Sequence, residues 1–124
     1  MSHQFYNVVH IIGIILLMSA LGGAAVRAMV SSTEEIPSVR RLLAILHGSG
    51  AFLVLLGGFG MLARLGFMHG ASFPGWLWVK LGIWLTLAVA LIVPRRRPEL
   101  ARPLLLALPL LGGLAAFMAI YKPL

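Results

Sequence analysis

The sequence contains no cysteine and no aspartate, and its only acidic residues are Glu34, Glu35 and Glu99. Without cysteine the chain has no disulfide, no thiolate metal site and no thiol nucleophile. Proton pumps, cation-coupled carriers and di-iron carboxylate bundles need carboxylates within the membrane or the bundle core. Because all three glutamates fall between the apolar runs of the sequence, these classes are excluded.

Charge is scarce and apolar surface is abundant. Of the 124 residues, 10% are charged and 60% are hydrophobic, and the mean hydropathy is +1.01. Soluble domains have about 25% charged and about 45–50% apolar residues. A soluble globule of this length could not bury so much apolar surface, which excludes an ordinary cytosolic enzyme. Disorder needs low hydrophobicity and is excluded as well, so the composition indicates an integral membrane protein.

Four apolar runs have the length of about 20 residues that crosses a bilayer: 5–26, 42–63, 75–93 and 103–121. They predict an all-α fold, a single-domain bundle of four transmembrane helices in antiparallel up-and-down order over residues 1–124. A signal peptide is the alternative interpretation of the first run. No Lys or Arg precedes it and it is longer than a typical signal-peptide core, so a retained helix is favoured.

The basic residues are divided unevenly between the two sides of such a bundle. Arg64 and Lys122 fall on one side and Lys80 lies inside the third run. The other seven fall between runs one and two or between runs three and four: Arg27, Arg40, Arg41, Arg95, Arg96, Arg97 and Arg102. The positive-inside rule then predicts a bacterial-type inner membrane with these loops cytoplasmic and both termini periplasmic. Anionic lipid head groups explain the arginines, and no nucleic-acid partner is expected.

Three ionisable residues fall inside the membrane runs, where each is a functional candidate because burial there is costly. His10 and Lys80 each lie about five residues, or about 8 Å, from the same surface of the bundle, so they share a level. His47 enters from the opposite surface and lies about 15 Å from both along the helix axes. His10 and His47 are the candidate metal ligands, and this separation argues against one haem held between them.

Lys80 is flanked by Trp76 and Trp84, four residues to either side, so all three share one helix face. An ammonium group between two indoles gains cation–π stabilisation. Alternatively, Lys80 extends to the outer head groups, and Trp76 and Trp78 belong to an aromatic belt. For His10 and His47 the alternative is a neutral imidazole that forms a hydrogen bond between helices.

Most of the fourteen glycines fall within the predicted helices, where small residues let backbones approach. Gly57, Gly58 and Gly60 line the second helix in this way. The same gaps would also accommodate a large cofactor. Pro109 is expected to kink the fourth helix, with neighbouring groups satisfying the freed carbonyl.

Three motifs in order along the chain resemble the HemJ and CopD-like membrane proteins: VHIIG at 9–13, GWLWVKL at 75–81 and the terminal IYKPL at 120–124. SirB-like proteins share this style of bundle. HemJ-type proteins are four-helix membrane protoporphyrinogen oxidases that carry haem b. The resemblance implies that His10 is a haem ligand and that Lys80 pairs with a porphyrin propionate or acts in catalysis. Trp76 and Trp84 complete the candidate cofactor-binding set. The chain departs from that family in its second helix, and it lacks the histidine that the family has well after the lysine of the third helix, where this chain reads TLAVA at 86–90.

Three functions therefore stay open. The first is a haem-binding or porphyrin-binding redox protein of the HemJ kind. The second is a non-catalytic subunit or assembly factor of a larger membrane complex, favoured by loops too short to form a substrate site. The third is a small transporter or channel, which would have to be an oligomer because four helices enclose little lumen.

Overall fold

A computed structural model describes residues 2–30, 36–65 and 73–123, and within these ranges it is helical with no β-strand. The expected all-α four-helix bundle is confirmed. The helices are α1 (His3–Met29), α2 (Pro37–Leu65), α3 (Gly75–Val89), α4 (Ile92–Arg96) and α5 (Ala101–Tyr121), with a short 3-10 turn at Pro98–Leu100 before α5.

Four spans are long and apolar enough to cross a membrane: His3–Met29, Pro37–Arg64, Gly75–Arg96 and Pro98–Tyr121. The chain is a small multi-pass membrane protein. The first two helices begin earlier than the apolar runs because polar and proline residues start them. The Ser2 hydroxyl accepts a hydrogen bond from the backbone N–H of Phe5 at 3.1 Å, which caps α1. Pro37 occupies the first position of α2, where its missing N–H costs nothing.

The third span is interrupted, and the interruption lies at Ala90 and Leu91 between α3 and α4. Pro94 has no N–H to donate to the carbonyl of Ala90 one turn earlier, so the regular pattern of α-helical backbone hydrogen bonds is interrupted there. The N–H of Val93 donates to that carbonyl instead, at 3.1 Å. Pro109, where the sequence predicts a kink, lies within an uninterrupted α5.

The arginine-rich ends of the spans lie together. α1 contacts α4 and the 3-10 turn, so the end of α1 that carries Arg27 is at the same end of the bundle as Arg96 and Arg97. Arg97 Nε donates to Glu99 Oε1 at 2.6 Å, and this hydrogen bond raises the pKa of Arg97. The grouping agrees with the expected division of charge, while the orientation in the membrane stays a prediction.

The closest helix pair in the bundle is α1 with α2, and glycine makes their approach possible. A Cβ placed on Gly50 would lie 2.5 Å from the backbone nitrogen of Leu17 and 2.8 Å from the carbonyl oxygen of Gly13. A Cβ on Gly13 would lie 2.5 Å from the backbone nitrogen of Val54. The two backbones are therefore in direct contact. In lipid the hydrophobic effect does not drive helices together, so close packing of this kind stabilises the pair instead.

The other spans close the bundle around an apolar core. α5 packs against both α1 and α3. The largest core cluster includes Leu17 and Leu21 of α1, Ile83 and Leu87 of α3, and Leu108 of α5. The outward faces carry exposed apolar side chains throughout, as a lipid environment requires.

The α1–α2 contact predicts that Gly50→Ala destabilises the protein by about 1–3 kcal/mol, because the new methyl group overlaps backbone atoms that cannot rotate away. The measurement is the free energy of unfolding in detergent micelles. Gly48→Ala is the matched control, since a Cβ there meets nothing within 4 Å. Equal stability of the two variants would contradict the described contact.

Candidate functional site

His10 lies on α1 against the backbone of α2. Its Nδ1–H donates to the carbonyl oxygen of Val54 at 2.7 Å. A Cβ on Gly57 would lie 2.6 Å from the backbone nitrogen of His10, and one on Gly58 would lie 3.4 Å from its Cε1. These two glycines provide the space in which the imidazole sits beside α2.

The hydrogen bond to Val54 determines which nitrogen of His10 is free. A carbonyl oxygen only accepts, so Nδ1 must carry the hydrogen, and in the neutral ring Nε2 then has the lone pair. Metal-binding histidines typically donate their second ring nitrogen to a carbonyl or carboxylate in this way. The donor arrangement of His10 is therefore that of a histidine that could ligate a metal ion through Nε2.

His47, the second candidate ligand, is buried at 7% exposure and is already engaged. Its Nε2–H donates to the carbonyl oxygen of Leu87 at 2.9 Å. Leu87 lies in the last turn of α3, just before the interruption, where carbonyls lose regular helical donors. The sequence offered two interpretations of His47, a metal ligand and an imidazole that forms a hydrogen bond between helices. The bond to Leu87 agrees with the second.

Trp84 forms the reciprocal contact. Its Nε1–H donates to the carbonyl oxygen of Ala51 at 3.0 Å. Together the His47–Leu87 and Trp84–Ala51 hydrogen bonds form what we term the α2–α3 clamp. Each helix contributes one side-chain donor and one backbone acceptor, so the pair fixes the register of α2 against α3.

The register places His10 and Lys80 at one level. Ala51 lies opposite Trp84, so Lys80, one turn before Trp84, lies near the level of Val54, the acceptor of His10. His47 is seven residues from Val54 along α2, or about 10 Å by the helical rise. In the described part of the chain, no three His, Cys, Asp or Glu side chains cluster as a metal site. The two histidines thus occupy separate levels.

Lys80, Trp76 and Lys122 lie at the His10 side of the bundle. Lys80 is partly buried on α3. The cation placed over the Trp76 ring is Lys122, with Nζ 5.4 Å from the ring centroid, whereas the sequence suggested Lys80 for this role. The ammonium group of Lys122 therefore lies over a ring that is one helical turn before Lys80 on α3.

Lys122 has an unusual backbone conformation that sequence reasoning missed. It ends α5 at φ 49° and ψ 54°, in the left-handed region, and its N–H donates to the carbonyl of Met118 at 3.1 Å. Among the described residues it is the only non-glycine with positive φ. Glycine usually takes this position after a helix, and a lysine there costs on the order of 1 kcal/mol. A helix ending in Lys-Pro without glycine was the available signal.

No protein-family model, curated protein or solved structure matches this chain.

The α2–α3 clamp predicts that Trp84→Phe destabilises the protein by about 1 kcal/mol, because the ring is retained while the N–H donor to Ala51 is lost. Chemical unfolding in detergent, followed by circular dichroism, measures the change. Trp78→Phe on the same helix is the control, since Trp78 is 56% exposed on the outer surface. A smaller loss for Trp84→Phe than for Trp78→Phe would count against the clamp.

Proposed function

We propose that this small integral membrane protein binds haem b, with His10 as the axial ligand. The observation that carries the proposal is the hydrogen bond from His10 Nδ1 to the Val54 carbonyl, which leaves the lone pair on Nε2. His47 also keeps one ring nitrogen, Nδ1, with a lone pair, but it is less suited to this role because it is buried at 7% exposure, whereas His10 is partly exposed.

The residues around His10 suit a tetrapyrrole ligand in different ways. The Val54 carbonyl holds the imidazole orientation and raises its basicity as a ligand. Gly57 and Gly58 let His10 pack directly against α2, which fixes where its ring lies. Lys80 offers a positive charge to a propionate in a medium of low dielectric constant, where such a contact is strong. Trp76 and Trp84 lie one turn to either side of Lys80 on the same helix and contribute flat apolar surface.

Haem b, when bound, supplies one-electron redox chemistry whose potential is set by its axial ligand and surroundings. The resemblance to HemJ-type proteins favours chemistry related to protoporphyrinogen oxidation. On this proposal His10 binds the iron, and Lys80 positions the porphyrin or acts as a catalytic residue next to it.

The proposal predicts that purified wild-type protein titrated with haemin in mild detergent develops a protein-bound Soret band. In His10→Ala the haemin affinity falls by more than about tenfold, because the iron ligand is removed. His3→Ala is the control, because His3 is an exposed histidine at the start of the same helix. A wild-type protein without a bound Soret band, or a His10→Ala variant with unchanged affinity, would reject the proposal.

A second candidate function is that of a subunit within a larger membrane assembly, either with other chains or with further copies of this one. It is favoured by the exposure of the fourth span. Only 6% of its most apolar stretch is buried in the bundle, against 22–28% for the other three spans. Leu106, Leu110 and Ile120 are 65–74% exposed along it, and a Cβ on Gly113 would meet nothing within 4 Å. An open glycine on a helix face permits close approach by another helix.

This second function predicts a defined crosslinked species in native membranes. The absence of cysteine makes single-cysteine variants unambiguous. Leu110→Cys on α5 should crosslink to a product of fixed mass through a short thiol-reactive reagent. Leu85→Cys on α3, 58% exposed, should not. Crosslinking at neither position, or at both equally, would argue against an assembly through α5.

A further inference from the structure

We propose that a cavity at the start of α2 binds one anionic phospholipid, with the lipid phosphate at Arg41 and the first part of an acyl chain against Ile45. The volume of the cavity is about 500 Å³, within the range of about 300–1,000 Å³ that small-molecule sites have. It is lined by Pro37, Ser38, Arg41, Leu42 and Ile45. The site is separate from His10 and does not depend on haem binding.

The cavity lies at the arginine-bearing end of the bundle. A Cβ on Gly23, in the last third of α1, would lie 3.2 Å from Cδ2 of Leu43, near the start of α2. The start of α2 therefore lies beside the end of α1 that carries Arg27. This is the end at which lipid head groups and basic side chains meet in a membrane protein.

Polarity changes along the cavity in the order that a phospholipid has. The lining residues are spaced so that they share one face of α2. Ser38 and Arg41 lie toward the helix start, and Ile45 lies one turn beyond Arg41, about 6 Å further into the membrane. Leu42 and Ile45 are each more than half exposed, so an acyl chain can lie against them. A molecule with an anionic head and an apolar chain matches both halves.

Arg41 is the group that selects the head group. Within residues 2–30, 36–65 and 73–123 the one acidic side chain is Glu99, which pairs with Arg97, so none of these residues neutralises Arg41. A guanidinium group forms two parallel hydrogen bonds with a phosphate. The backbone N–H of Ser38 is among the first of α2, where N–H groups have no partner within the helix and attract negative charge.

The same charge favours an anionic lipid over a zwitterionic one. A choline head group brings a quaternary ammonium group close to the phosphate, and Arg41 repels that ammonium group. A glycerol head group has no such charge, and its hydroxyl groups can hydrogen-bond at the surface. Phosphatidylglycerol is therefore the probe that suits the cavity, and phosphatidylcholine of equal chain length is the comparison.

The test titrates each lipid into the full-length protein in detergent and counts the bound lipids by native mass spectrometry. The wild type should bind one phosphatidylglycerol more tightly than phosphatidylcholine. One charge-assisted contact contributes about tenfold in affinity, so Arg41→Gln should weaken phosphatidylglycerol binding about tenfold and abolish the preference. Arg96→Gln is the matched control, because Arg96 is exposed at the same end of the bundle but lies on α4, outside the cavity.

A second pair of variants tests the apolar half of the cavity. Ile45→Asn removes part of the surface against which the acyl chain lies, so both lipids should bind about fivefold more weakly. Leu56→Asn is the control, since Leu56 is an exposed leucine further along the same helix and outside the cavity. The melting temperature of each variant without added lipid shows whether the two substitutions affect the fold equally.

A competition experiment on the wild type distinguishes a lipid from a free anion without any substitution. Short-chain dioctanoyl phosphatidylglycerol should displace the bound lipid. Glycerophosphoglycerol, which is the same head group without acyl chains, and inorganic phosphate should not displace it at the same concentration. Displacement by either of these two would show that the cavity binds a free phosphate and would overturn the lipid as its occupant.

The remaining outcomes are equally decisive. Equal affinity of the wild type for the two lipids overturns selection by Arg41. Equal losses in Arg41→Gln and Arg96→Gln show that the net charge of the bundle end attracts the lipid, which overturns a discrete site. An unchanged affinity in Ile45→Asn overturns the apolar half. None of these results bears on haemin binding at His10, which is measured separately by the Soret band.

Discussion

The backbone contact between α1 and α2 is the constraint on which the rest of the bundle depends. At Gly13 and Gly50 the two helices meet without side chains between them, and Gly57 lets α2 reach the backbone of His10. Only at this separation can the imidazole of His10 reach the carbonyl of Val54. The helix packing and the tautomer of His10 are thus consequences of the same close approach, since a wider spacing would leave the ring without its acceptor.

The second organising feature is the interrupted third span. Pro94 prevents a regular helix at Ala90, and the α2–α3 clamp engages the last turns of α3 just before that point. Buried polar groups need hydrogen-bond partners in lipid, because no water is available to supply them. The clamp meets this need for a buried imidazole and an indole, and in doing so it sets the level of Lys80 relative to His10.

The sequence was informative about features that depend only on distance along the chain. Apolar length identified four spans, and helical rise placed His10 and Lys80 at one level apart from His47. The sequence was less informative about features that depend on which helices pack against each other. It did not single out Gly13 and Gly50, because their role appears only when α1 and α2 are docked.

The position of Lys122 was beyond sequence reasoning for a different reason. Its contact with Trp76 joins residues 46 positions apart on different helices, and no local pattern encodes such a pairing. Likewise, the hydrogen bond of Trp84 replaced an expected role beside Lys80, because the nearest acceptor of its N–H belongs to α2.

The break between α3 and α4 also divides the bundle mechanically. A continuous helix transmits bending and twisting along its whole length, whereas one with missing ladder bonds bends at the gap. The third span therefore bends at the gap between α3 and α4, while the part of α3 that carries the clamp keeps its geometry. Strain applied to α4 is taken up at this gap and does not change the spacing between His10 and Lys80.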